Sequence, residues 1–259
     1  MNDIDLDRMF KAKDWSAVDV AAKAGPSIVP AIEHYLKSPD ELIRLLAVDC
    51  IAAAGGPRVP ELLIGALADP NEQVRINAIN GLHENLPMGH EAALLFAWDS
   101  NHTRDGFVRQ QIPMIFGQMQ ARQQIGPLRV RIAADKRQEV RDGMVAGLCK
   151  LGDGQGRTAL AKMLNDARGK RTAELMEFVK YIDEPWVVPL LVPVLERRDV
   201  AEVVDSHIRS VTRRECDLAV DEILRLSKAK FSFPINEIGQ YTDAQIEEVR
   251  RSAQSEPGP

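Results

Sequence analysis

The chain has 259 residues, with 33 Lys and Arg against 38 Asp and Glu for a formal net charge of −5, and it is 45% hydrophobic. That composition can bury a sizeable core, which excludes a disordered tail and a small disulfide-held scaffold. Cys50, Cys149 and Cys216 lie far apart with no CxxC pair, so they read as buried thiols in a reducing compartment, not as bridges or a zinc site.

The first residues, Met1-Asn2-Asp3-Ile4-Asp5-Leu6-Asp7, are acidic where a signal peptide is basic. No apolar run approaches the roughly 20 residues of a membrane span. The expectation is a soluble, cytoplasmic protein.

From residue 25 onwards the chain repeats. Gly25/Gly56, Pro26/Pro57, Leu36/Leu67, Pro39/Pro70 and Arg44/Arg75 share one offset of 31. An apolar-Arg marker returns at Val108-Arg109 and Val140-Arg141. After each arginine, apolar or small residues follow at three, six and seven positions: Ala47/Cys50/Ile51, Ala78/Gly81/Leu82, Ile112/Ile115/Phe116 and Met144/Gly147/Leu148. That is one stripe of a helix. A second amphipathic helix lies between markers, so each unit predicts two antiparallel helices. Gly-Pro separates them in the early units, and Ser38-Pro39-Asp40 and Asp69-Pro70-Asn71 stop one helix and cap the next. No strand is predicted: Asn-Gly and Asp-Gly turns between alternating apolar runs are missing, and Trp186 to Leu195 keeps helical leucine spacing. Thr242-Asp-Ala-Gln245 reads as a capping box opening a helix through Arg251, with Phe231, Phe233 and Pro234 covering the last apolar face and a disordered end from Ser252.

These markers resemble the HEAT repeat, in its short phycobilisome-lyase-like subtype, over roughly residues 14 to 225. The resemblance implies an all-α, right-handed α-solenoid of about six helix pairs: an N-terminal cap over 1–13, the repeats over 14–228, and a C-terminal cap helix with its tail over 229–259. The match weakens at Arg171, where only Leu175 and Phe178 are in place, and in the last unit, where Cys216 stands at the arginine position. It also implies that Arg44, Arg75, Arg109 and Arg141 form a structural ladder between neighbouring units. Asp40, Asn71 and Asp105, each four residues before an arginine, are the expected acidic or amide side.

No catalytic residue, metal or cofactor is expected. Gly152-Asp-Gly154-Gln-Gly156-Arg157 lacks the preceding strand of a phosphate-binding loop and reads as a connector. His83-Glu84 and His90-Glu91 invite comparison with deoxyhypusine hydroxylase, which holds iron on HEAT repeats with His-Glu dipeptides, but both pairs fall in one helix-loop-helix with no second set, and a surface reading is preferred. Asn101-His102-Thr103 is a glycosylation sequon without meaning in an unsecreted protein. His34 and His207 complete the five histidines, none beside a nucleophile signature.

Charge is uneven along the chain. Residues 1–100 carry −7, residues 101–180 carry +7 and residues 181–259 carry −5. Arg122, Arg129, Arg131, Arg157 and Lys162 fall on second helices or at their starts, where stacking would align them in a basic band. The leading expectation is therefore a non-enzymatic adaptor that binds a protein partner with an acidic surface through the concave face, using Tyr35, Trp98 and this band. The Phe-Ser-Phe-Pro and Tyr-Thr-Asp-Ala-Gln-Ile segments resemble those of bacterial toxin-neutralising or secretion-associated solenoids. The alternative is nucleic-acid binding like that of DNA glycosylases of similar architecture, for which Trp98-Asp99 is the point of comparison. A metal-dependent hydroxylase or lyase is third.

Overall fold

The computed structural model describes residues 3–100, 105–205, 210–227 and 229–255. The sequon, His207 and the last four residues of the expected disordered end lie outside them. In chain order the helices are α1 (Asp3–Ala12), α2 (Ser16–Ala24), α3 (Val29–Ile32), α4 (Glu41–Ala54), α5 (Val59–Ala66), α6 (Glu72–Glu84), α7 (Glu91–Ser100), α8 (Gly106–Gln118), α9 (Ile125–Ala134) and α10 (Gln138–Lys150). They continue as α11 (Gly154–Asp166), α12 (Lys170–Ile182), α13 (Val188–Leu191), α14 (Glu215–Leu226) and α15 (Asp243–Ser255). Short 3-10 turns flank α3, α9 and α13, which carry Pro26, Pro30, Pro127, Pro185, Pro189 and Pro193 in or beside them. The chain divides into two compact units, Met1–Gly147 and Leu148–Pro259.

In the first unit the first helix of each pair stacks on the next: α2 on α4, α4 on α6, α6 on α8. Their starts share one device. Asp40 accepts from Leu42 N–H, Asn71 from Gln73 and Val74, and Asp105 from Phe107 and Val108, each satisfying amide groups that a helix N-terminus leaves open. The stripe residues named from spacing form the core: Ala47, Cys50, Ile51, Ala78, Leu82, Ile112, Ile115, Phe116, Met144 and Leu148 are all buried. Burial pushes the thiols of Cys50 and Cys149 up to about 12, which leaves them as neutral apolar side chains at pH 7.

Helix α10 approaches α8 with no side chain between. A methyl group at Gly143 would stand 2.2 Å from the Gln110 carbonyl oxygen, and one at Gly147 would stand 2.3 Å from that of Pro113. The four-residue spacing puts both glycines on one face, so the two backbones meet directly.

In the second unit α11, α12, α13 and α14 pack together, and α15 closes on α13 and α14. Thr242 and Gln245 form the capping box of α15: Thr242 N–H donates to Gln245 Oε1 at 2.8 Å and Gln245 N–H to Thr242 Oγ1 at 3.3 Å. The glycine-rich stretch before α11 is a helix start in which Asp153 accepts from Gly156 N–H at 2.7 Å. One expectation is overturned. Val200–Asp205 (β1) and Ser210–Arg214 (β2) form an antiparallel pair between α13 and α14. Runs of β-branched residues, Val203-Val204 and Val211-Thr212, carry it, and that signal is independent of the Gly-containing turns on which the expectation rested.

Candidate functional site

The arginine ladder of the first unit reaches in two directions. Arg44 Nε donates to Asp69 Oδ2 at 2.7 Å, and Arg75 Nε to Asp105 Oδ2 at 3.1 Å. Arg109 reaches Asp135 Oδ2 from Nη2 instead. Backwards, Arg44 Nη1 holds the carbonyls of Ser38 and Pro39, and Arg75 Nη1 those of Asp69 and Pro70, so each guanidinium ties its own entry loop to the next. The acceptors differ from the residues expected. Asp40 and Asn71 cap their helices without taking a ladder arginine, Asp69 sits two residues before the Asn71 cap, Asp135 sits three residues before the start of α10, and Asp105 alone does both. Arg141 holds Gln138 and the Asp135 carbonyl.

Trp98 is also placed otherwise than expected. It is 3% exposed, so it offers no contact to a partner. Its ring lies under the Arg109 guanidinium at 4.2 Å and near that of Arg131 at 5.3 Å, and its indole N–H donates to the Arg109 carbonyl at 2.9 Å. Asp99, adjacent but on another face, takes Arg131 at 2.8 Å. Tyr35 stacks flat on Phe10 at 3.9 Å, and its hydroxyl donates to Asp7 at 2.8 Å. Burial, together with that carboxylate, pushes the phenol up to about 12. Tyr35 thus fastens α1 to the first repeat.

The expected basic band is divided between the units. Arg122, Arg129 and Arg131 belong to the first; Arg157 and Lys162 belong to the second, where Arg157 lies 4.5 Å over the Trp186 ring and Lys162 is paired with Asp166. Arg122 and Arg129 are exposed. His83 is held by Gln111 and Gln118 at 3.0 and 2.8 Å. Among the described residues, no group of His, Cys, Asp and Glu is placed to hold a metal ion.

The most conspicuous surface is one that spacing did not single out. Helix α7, Glu-Ala-Ala-Leu-Leu-Phe-Ala-Trp-Asp-Ser, is apolar on all sides except its ends. Leu94, Ala97 and Trp98 fill the core, while Ala92, Ala93 and Phe96 face out, with Phe96 74% exposed. Helix α9 likewise exposes Gly126, Ala133, Ala134 and Val130, the last 72% exposed, beside Arg129. Gly65 on α5 and Ala68 just after it are exposed, and Leu62 is half-buried. There a groove of about 390 Å³ opens, with Leu36, Leu62, Ala66 and Val74 as its apolar walls and Lys37, Glu61 and Asp69 at its rim. A side chain at Gly65 would meet nothing within 4 Å. The signal for this face was present in the sequence as a helix with no polar side.

Stacked helix pairs, joined loop to loop by buried Arg-Asp pairs, define an α-helical repeat protein. Residues 6–83 match the family of HEAT repeats, and the first part of the chain is built of them. HEAT repeats commonly mediate protein–protein interaction and scaffolding. No curated protein matches the chain. Among the described residues, no helix is long and apolar enough to cross a membrane.

Proposed function

We propose that the protein acts by binding a protein partner, with no chemistry of its own, through the outer face of α5, α7 and α9. The supporting observation is the exposure of Phe96 and Val130 on second helices that are anchored in the core by Leu94, Ala97 and Trp98 and by Leu128. Water-exposed apolar surface of this kind is favourable to cover, at about 25 cal/mol per Å², and monomeric proteins seldom leave it contiguous. The small residues Ala92, Ala93, Ala133 and Ala134 let a partner's backbone come close around these two anchors.

The test is a photo-crosslinking residue in place of Ala93 in the full chain, alone and with Phe96→Ser plus Val130→Ser. The expected result is one dominant adduct that disappears in the double variant while thermal stability is kept. An adduct unaffected by the double variant would remove this face from the function.

A second reading, nucleic-acid binding by the central basic segment, draws on Arg122 and Lys136, both exposed and without an ion-pair partner among the described residues. Against it, Arg131 and Lys162 are already paired with Asp99 and Asp166. Retention on duplex DNA that falls steeply with salt would favour it.

A further inference from the structure

The second unit carries another surface of different chemistry. Strand β1 lies beside α12, and between them is a groove of about 550 Å³ lined by Ala173, Val200, Ala201 and Val203, with Glu174, Glu177, Glu202 and Lys170 as its charged groups. In a regular strand, residues three apart point to opposite faces. The β1–β2 register shifts between Val200 and Glu202, and this bulge turns both Val200 and Val203 into the same groove, where they are 53% and 57% exposed. Two β-branched side chains are thus presented to solvent by a local irregularity of the strand.

The charges select the occupant. Three carboxylates face one ammonium across the groove. Each carboxylate has a cation outside the groove: Glu174 has Arg171 at 3.1 Å, Glu177 has Lys180 at 2.9 Å, and Glu202 has Arg213 at 3.3 Å. The first two are exposed pairs one helical turn apart, which are worth little and leave the oxygens accessible. Arg213 is buried and divided between Glu202 and Asp221. Among the residues that line it, the groove thus offers three carboxylates to one ammonium around an apolar floor, their partner cations standing outside it.

We infer that this groove binds an extended segment of a partner protein in which basic residues alternate with apolar ones. The apolar side chains cover Val200, Val203 and Ala173, and the basic ones reach Glu174, Glu177 and Glu202. This surface lies wholly within the second unit, and its partner has the opposite charge preference to one recruited by Arg122 and Arg129.

Three fluorescein-labelled eight-residue peptides, alternating Val-Lys, Ser-Lys and Val-Glu, titrated with the full chain, test this. The Val-Lys peptide is expected to bind, the Ser-Lys peptide about tenfold more weakly or worse, and the Val-Glu peptide not at all. In the protein, Val203→Ser and, separately, Glu177→Lys are each expected to weaken Val-Lys binding about tenfold, which is 1.4 kcal/mol. Both positions are exposed, so the melting temperature should hold. Phe96→Ser is expected to leave the peptide unaffected, which separates this groove from the face on the first unit. No binding of the Val-Lys peptide, equal binding of the Ser-Lys or Val-Glu peptide, or indifference to both groove variants would each overturn the inference.

Discussion

The indole N–H of Trp98 donates to the backbone carbonyl of Arg109 at 2.9 Å, and the reason lies four residues further on, at Pro113. A helical carbonyl at position i is normally taken by the N–H of i+4, and proline has none. Pro113 sits inside α8, so the Arg109 carbonyl is left open in the buried interior, and the tryptophan of the preceding helix supplies the donor. The guanidinium of the same arginine lies over the indole ring, so one tryptophan serves both the backbone and the side chain of Arg109.

This arrangement predicts a coupling. Trp98→Phe removes the donor and should destabilise the protein by about 1–3 kcal/mol, the range for an unsatisfied buried acceptor, in addition to the lost packing. Pro113→Ala restores an N–H at the right place. In a double-mutant cycle by chemical denaturation, Trp98→Phe should cost less in the Pro113→Ala background, with a coupling energy above about 0.5 kcal/mol. Strict additivity would show that the indole N–H does not stand in for the missing amide.

The two kinds of Arg-Asp pair in the first unit should behave differently. Arg75 and Asp105 are both nearly inaccessible, and Arg75→Ala would leave a buried carboxylate without its cation, a loss of about 3–5 kcal/mol. Arg131 and Asp99 meet at the surface, with Asp99 half exposed, and Arg131→Ala should cost about 1 kcal/mol or less. Urea midpoints measured at low and high salt would show both differences, since only the exposed pair is screened.

The sequence made the donors of this ladder plain and hid the acceptors. Arg44, Arg75 and Arg109 recur because each follows the same helix start, which gives them a fixed spacing. Asp69 and Asp135 lie in loops, at distances from the arginine that vary with the length of the helix between, so no constant offset marks them. Trp98 is a related case: it is buried with Leu94 and Ala97 on the inner side of α7, and its hydrogen bond depends on a proline in the next helix, whereas residue type alone favours an interface role. The hairpin is written in β-branched residues, Val203-Val204 and Val211-Thr212, without the Asn-Gly or Asp-Gly turn that marks many hairpins in a sequence. Phe96 belongs to a helix that is apolar on every side, and Val130 stands between Arg129 and Arg131 on one whose apolar residues form no single stripe, so periodicity does not separate an inner from an outer side in either.

Asp49 gives a pH-dependent test. Burial raises its carboxyl above the usual range, and the hydrogen bond from Asn77 at 2.7 Å opposes that only in part. A carboxyl raised on folding favours the folded state when protonated, so its contribution is present below the unfolded value of 3.8 and is lost as pH rises through the folded one. Asp49→Asn keeps an acceptor for Asn77 without the charge. Its melting temperature should exceed that of the wild type at pH 7, and the gap should close as pH falls towards 4. A lower melting temperature at pH 7 would show that the ionised carboxylate is stabilising.

The two-directional reach of the ladder arginines also sets how this chain can vary in length. The acceptor lies 25, 30 or 26 residues after its arginine, either at a helix cap or in the loop before it, and the same guanidinium meets it in every case. A change of a few residues between two arginines therefore leaves the clasp closed. A duplication or deletion that runs from one arginine to the next transfers a donor together with an acceptor, so such a protein can grow or shrink by whole cassettes while each new junction finds a ready-made fastening.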